Sequence, residues 1–538
     1  MSTVKRLAVV GAVGLIATTS ACGSSGSGAA PNAASGAKIT IGSATAYSTL
    51  DPAVAYDAGS WAVYYNIYQS LLSYAPGANQ PSPDAAKTCG FSDPVTYKCE
   101  LRPGLKFTNG DPLDAAAVKF SIDRVLKIKN DSQVWTLLST IKSVDTPNSS
   151  TVVFNLNTPD ATLPDRLAAG VASIVDPKLA SPTKGVTDPT DTSIGVGSGV
   201  YKIDKVDFKD GQPSVLHLSV NPAYQGAALD NGGKLQNSGV TVNFYDNVKE
   251  TKAALDSGAV DAVATDIAPT DIVKLQNDQQ LGKGLQVVEG PGAQIRLMPL
   301  NLAKAPFNNK AVRVAIARLL NRDSIASGVF QGTVTPLYSM IPSGITDQNA
   351  AYLNLYPPAS AATVKRSLQK AGVHLPVSFT LDYTLNSTAG DAEAKMIKAQ
   401  LESTGLFQVT LRTHATYTAM KNEVLKKGDF DAYTVSWLPD YPDPDDFVSP
   451  FVGAPSSMYI NYQPAAIVGK IAATLKETDR LAAAKDYADI QNAFANDAAY
   501  IPIWQNKAYA VTQADITGAG LTLDTSAVIR WWLFGKSS

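Results

Sequence analysis

Apolar and polar residues alternate from Lys38 to Ala44, K-I-T-I-G-S-A, the period of two that predicts a strand. Trp61, Tyr64, Tyr65, Tyr68 and Leu71 then recur at helical spacing, an aromatic face expected to turn toward a core. Leu101 to Phe107 is predicted as a strand and Asn109-Gly110 as a turn. Asp114 can cap the next helix, because its carboxylate can accept from an unpaired N–H of the first turn. Val118, Ile122, Val125 and Leu126 give that helix one apolar stripe. Lys310 to Asn321 reads as a helix with Val312, Ile316, Leu319 and Leu320 inward. Asp391 to Leu401 and Ala483 to Phe494 read likewise, and Pro306 and Pro357-Pro358 punctuate loops. Strands and helices alternate irregularly and no fixed repeat appears. A chain of 538 residues exceeds one ordinary core, so the pattern predicts an α/β protein of several lobes.

One stretch fits neither period. Trp437 to Phe447 reads W-L-P-D-Y-P-D-P-D-D-F, with three prolines and four aspartates. Prolines at that spacing remove donors that a helix or a central strand needs, so a stiff loop of acids and rings is predicted. Asp445 and Asp446 are expected as solvated acids capping the following turn. Calcium is disfavoured, since the glycine and distal glutamate of a calcium loop are missing.

The N-terminus carries Lys5 and Arg6, then an eleven-residue apolar run from Leu7 to Ala17, then T-T-S-A-C ending at Cys22. The run is too short to span a membrane, so residues 1–21 read as a signal peptide. A cysteine directly after Ser20-Ala21 resembles the bacterial lipoprotein signal, which implies cleavage before Cys22 and lipidation of its thiol. Thr19 departs from that pattern, where leucine is usual. Residues 22–37 hold nothing that can pack and read as a lipid-anchored flexible tether. Cys89 and Cys99 flank turn-forming residues, and an exported protein can keep them as a disulfide closing a hairpin. The weaker reading is a zinc site, which would need further ligands, while His217, His374 and His414 lie far apart.

Composition narrows the function classes. Apolar residues make up 45% and charged residues 17%, a globular balance. Net charge is −2, and loss of Lys5 and Arg6 with the leader makes it −4. No basic stripe offers a nucleic-acid footprint. G-x-x-x-x-G-K-[ST] and H-E-x-x-H are absent. Gly195 to Gly199 reads G-V-G-S-G, but Val196 and Val200 stand where a nucleophile elbow needs glycine around Ser198. These glycines are expected to permit a sharp reversal before a strand at Val200 to Ile203. No catalytic residue, metal or cofactor is assigned.

An ordered set of segments carries a resemblance. Leu50 to Asp57 (L-D-P-A-V-A-Y-D) leads into Ile67 to Leu72 (I-Y-Q-S-L-L). Leu101 to Ser121, Gly197 to Ile203, Asn221 to Gly226, Leu255 to Ala262 and Asn308 to Asp323 follow, then W-L-P-D-Y-P-D-P and Ala499 to Trp504 (A-Y-I-P-I-W). Together they resemble family 5 extracellular solute-binding proteins, the oligopeptide-, dipeptide- and nickel-binding type that delivers ligand to ABC importers. Asn321 before Arg322 departs from the family, which more often has aspartate there. The resemblance implies a two-lobed, type II periplasmic-binding-protein-like (Venus-flytrap) α/β fold with an extra domain inserted in lobe one. Lobe one would comprise 38–80, 196–288 and 509–538, the extra domain 81–195, and lobe two 289–508. Peptide would lie between the lobes, its amine on Asp440, with Trp437 and Tyr441 as apolar walls. Tyr47 and Asn301 are further cleft candidates. The implied partners are ABC permease subunits with their ATPases, and the membrane through lipid on Cys22, the protein acting as a monomer. The alternatives are a non-peptide solute on the same fold (nickel chelate, glycan or opine), a secreted hydrolase, and a sensor reporting to a membrane receptor.

Overall fold

The computed structural model describes residues 36–537, apart from 265–266, 283, 386–388 and 454–455. The expected signal peptide, Cys22 and nearly all of the expected tether lie outside the described residues.

A nine-stranded mixed sheet is the largest unit. Its order is Val435–Trp437, Gln286–Pro299, Tyr500–Thr512, Ala262–Ala264, Ile39–Ser43, Gly239–Phe244, Gln212–Val220 and Tyr201–Lys209, with Val334–Pro336 also pairing to Tyr500–Thr512. Ile39–Ser43 runs parallel to both of its neighbours, and the other pairings are antiparallel. A four-stranded antiparallel sheet orders Ala86–Asp93, Thr96–Leu101, Thr151–Leu156 and Ile141–Asn148. A parallel three-stranded sheet holds Phe407–His414, Val377–Thr384 and Ala432–Tyr433.

The apolar interior is divided. One core is built mainly from residues 53–174 around the four-stranded sheet. A second gathers Ile39, Tyr64, Leu216, Val240 and Trp531. Two more lie on the far part of the chain, Met298 to Trp504 and Ala293 to Tyr500. The strands Gln286–Pro299 and Tyr500–Thr512 run continuously past these cores, and their register shifts between Pro291 and Ile295.

Local chemistry explains the helices. Asp114 accepts from the Ala117 amide at 3.1 Å and caps Ala115–Ile128, which buries Val118, Ile122 and Val125. Asn309 caps Lys310–Leu319 through the Ala311 amide. The strand predicted over Leu101 to Phe107 instead ends at Leu101, because Gly104 turns the chain in the left-handed region at φ 74°. Leu105 and Phe107 remain buried beyond the turn. At Gly195 the chain turns, its amide donating to Thr192 O at 3.0 Å, and the next two glycines answer a further demand. Gly197 and Gly199 lie against the backbone of Ile67, where a Cβ would meet main-chain atoms at 2.0 and 2.5 Å. The Gly199 amide donates to Ile67 O at 2.8 Å, so these glycines serve close approach. Cys89 and Cys99 face each other across the hairpin Ala86–Asp93/Thr96–Leu101 and are disulfide-bonded.

Candidate functional site

A cavity of about 520 Å³ opens beside the register shift of the two long strands. Gly292, Ala293, Gln294 and Asn506 form its floor. Backbone and side chain are tightly fitted there. Asn506 Oδ1 accepts from the Gln294 amide at 2.9 Å, and a Cβ on Gly292 would come within 2.1 Å of that oxygen. One wall is aromatic: Tyr56, Trp61 and Tyr65. The helix Ala58–Ile67 presents the last two, and Asp57 caps that helix through the Ser60 amide at 2.8 Å. Tyr56 stacks on Trp61 at 5.7 Å, and Trp61 meets Tyr65 edge-on at 6.4 Å. Trp437 to Asp440 form the facing wall, and Leu523 to Ile529 contribute a third side.

The proline-rich stretch presents Asp440. Trp437 ends a three-residue strand paired to Gln286–Pro299, and Pro444 opens a 3-10 turn capped by Asp443. Asp446 is buried beneath. Its Oδ2 accepts from the Asp440 amide at 2.8 Å and from Trp437 Nε1 at 3.3 Å. Asp443 pairs with Arg480 through both oxygens, at 2.7 and 3.0 Å. Asp445, fully buried, accepts from Ser449 Oγ and from the Tyr441 hydroxyl at 3.1 Å. Asp445 and Asp446 are therefore not solvated acids; they are interior acceptors that fix the loop. Buried carboxylates demand such partners, and here those partners also set the position of Asp440.

The Asp440 carboxylate is half-buried. Its Oδ2 accepts from the Tyr56 hydroxyl at 2.7 Å, and no hydrogen bond among the described residues reaches Oδ1. Burial pushes its pKa up to about 6, while the Tyr56 bond and the Arg166 charge pull the other way. Asp446 is raised well above the ordinary carboxylate range, first by burial and then by the Asp440 charge. Burial also raises Tyr56, helped by Asp440.

Two of the five expected ligand residues, Asp440 and Trp437, line this cavity. Tyr441 does not. It is 3% exposed, sits in the core of residues 53–174, and packs under the Arg166 guanidinium at 5.4 Å. Tyr47 is buried with its ring edge against Phe244, and its hydroxyl donates to Pro189 O at 3.2 Å. Asn301 is buried too; its Nδ2 donates to Phe430 O at 2.8 Å and its Oδ1 accepts the Ala303 amide. The polar atoms of both are occupied by backbone. Tyr56, Trp61 and Tyr65 were missed as cavity residues. Trp61 and Tyr65 are four apart, offset from the Tyr64–Tyr68 pair that does enter the core, and that split of one aromatic face into two stripes was the available signal.

Comparison with known proteins agrees with the fold. The model of the bacterial extracellular solute-binding proteins, family 5, middle region, matches residues 80–459. A probable D,D-dipeptide-binding periplasmic protein of Escherichia coli is 28% identical over 497 residues, covering 89% of this chain and 90% of that one. A glutathione-binding protein of Pectobacterium atrosepticum is 25% identical, covering 92% and 93%. Among solved structures, NikA from Brucella suis in complex with Fe(III)-EDTA superposes with a TM-score of 0.79 at 20% identity, covering 93% of this chain and all of that one. DppA from Helicobacter pylori in complex with the peptide STSA does so with a TM-score of 0.73 at 21% identity, covering 94% and 98%. The shared architecture is the two-lobed periplasmic-binding fold. Among the described residues, no helix is long and apolar enough to cross a membrane.

Proposed function

The chain belongs to family 5 of the bacterial extracellular solute-binding proteins, and we propose that it captures peptides between its lobes and delivers them to an ABC permease. The single observation carrying this reading is Asp440, a rigidly supported, half-buried carboxylate with one oxygen bonded across the cavity to Tyr56. A peptide's constant features are its backbone and its amine. A charge-assisted bond from the amine to a partly desolvated carboxylate is worth roughly 1.5–3 kcal/mol. Holding the carboxylate still beforehand reduces the ordering cost of binding. Trp437, Trp61 and Tyr65 supply sequence-tolerant apolar walls.

The proposed lobes meet at the two long strands, near 288 and 508. Their register shift between Pro291 and Ile295 supports a hinge there, where closure would bring Tyr56 and Asp440 together. Ligand touching both walls would shift the open–closed balance, and the permease would read the closed form. Cys22, lipidated, would tether the body to the outer face of the cell membrane. The dipeptide- and glutathione-binding relatives support a peptide ligand. Mass spectrometry of small molecules released from natively purified protein tests the reading. A peptide mixture is the expected result, and one defined non-peptide solute overturns it.

A further inference from the structure

The cavity walls carry negative charge without a cation of their own. Asp57, Asp440 and Asp524 line it, and no lysine, arginine or histidine stands among its described lining residues. The acids differ in how far they are satisfied. Asp57 accepts the hydroxyls of Ser48 and Ser60 as well as its capping amide. Asp524 is held from behind by Arg530 at 2.9 Å, and that buried guanidinium spends its remaining donors on Tyr74 O, Val528 O and Ser526 Oγ. Arg166 lies behind the Asp440 loop, donating to the Tyr441 hydroxyl at 3.2 Å with Asp445 at 3.7 Å. An adjoining cavity of about 230 Å³ shares Gln294, Asn506 and Ala508 with this one and carries Lys507, whose ammonium pairs with Glu289 at 3.0 Å. Asp440 is thus the acid left open to the cavity, while Arg530, Arg166 and Lys507 each already have an acid or a ring.

The rings complete the pattern. Ring faces attract cations within about 6 Å and repel anions, and the stacked Tyr56–Trp61 pair stands directly beside the carboxylate. A zwitterionic dipeptide would set its own carboxylate among these acids and ring faces, with only neutral amides and hydroxyls to meet it. We infer that the cavity selects ligands bearing a cationic amine on an apolar body and no carboxylate within it: amidated peptides and aralkylamines ahead of free dipeptides. The inference rests on the cleft being the ligand site and sharpens its substrate class.

The test is calorimetry on the whole mature chain with two matched pairs of probes, Leu-Phe amide against Leu-Phe free acid and phenethylamine against 3-phenylpropionate. The cationic member of each pair is expected to bind at least about tenfold more tightly, the scale on which a misplaced like charge is rejected. Asp440→Asn should erase that preference, with an unchanged circular dichroism spectrum reporting that the variant is folded. If the free dipeptide binds as tightly as its amide, the inference is overturned while peptide capture stands. If phenethylamine binds and neither peptide does, the cationic selectivity stands and peptide capture falls. If no cationic probe binds, the inference is overturned.

Discussion

The Tyr56 hydroxyl donates to Asp440 Oδ2 at 2.7 Å, joining residues 384 positions apart across the mouth of the cavity. A neutral hydrogen bond of this kind contributes about 1 kcal/mol net, more when the acceptor is charged. Tyr56→Phe should therefore loosen the ligand-free protein without unfolding it. Small-angle scattering should give a larger radius of gyration for the ligand-free variant, and an unchanged value would show that the bond does not restrain opening.

Asp440→Ala removes the proposed anchor for a ligand amine. From the strength of a charged hydrogen bond, affinity should fall about tenfold or more. Calorimetry with a peptide that the native protein is found to bind checks this, and equal affinity in the variant would remove Asp440 from the ligand's path.

Affinity should depend on pH through the same group. The carboxylate is raised to about 6 in the ligand-free protein, whereas a peptide amine stays charged to about 8. Below pH 6 the ligand must displace a proton from Asp440, so binding should weaken by up to about tenfold per pH unit until the complex itself titrates. Stability of the empty protein runs the other way. The folded carboxyl binds its proton more tightly than the unfolded one, so its contribution is fully present below the ordinary aspartate value and is lost as pH rises through about 6. Melting curves of the native protein and Asp440→Asn between pH 4 and 7 should converge at the acid end, with the native protein falling behind as pH rises.

Gly292 is closely packed in the floor. A methyl group there would meet Asn506 Oδ1 at 2.1 Å and the Asn506 carbonyl at 2.6 Å. Because backbone as well as side chain is in the way, Gly292→Ala should cost on the order of 1–3 kcal/mol. Urea denaturation would register that loss, and a matching loss of ligand affinity would show that the strand irregularity shapes the cavity.

The hairpin disulfide closes a short loop. Chain-entropy reasoning gives about 3 kcal/mol for a loop of this size. Replacing Cys89 and Cys99 by serine should lower the unfolding free energy measured by urea denaturation by about that amount and leave peptide affinity unchanged, since the hairpin lies outside the cavity lining.

Much of this was legible from residue pattern. The Asp114 cap, the helix at Lys310 and the first strand follow from local periodicity and capping chemistry, which operate within a few residues. The disulfide is equally local. Asp440 and Trp437 could be singled out because prolines make their segment unlike any helix or strand. What pattern could not give was the use made of charge at long range. Asp445 and Asp446 look like surface acids until Arg166, nearly three hundred residues earlier, is known to lie against them. Tyr47 and Asn301 resemble cleft residues until the carbonyls of Pro189 and Phe430 are found beside them. Trp61 and Tyr65 do pack against the cores, as their spacing suggests, but they also line the cavity, which local spacing alone does not reveal.

Arg166 has one more implication, for anyone who would transplant this proposed binding segment. The arm that presents Asp440 is pinned by a guanidinium from the region of the small antiparallel sheet, stacked on Tyr441 and facing Asp445. Grafting Trp437 to Phe447 alone onto a related receptor would deliver the carboxylate without its brace. A chimera that keeps the donor's preference must carry Arg166 with it.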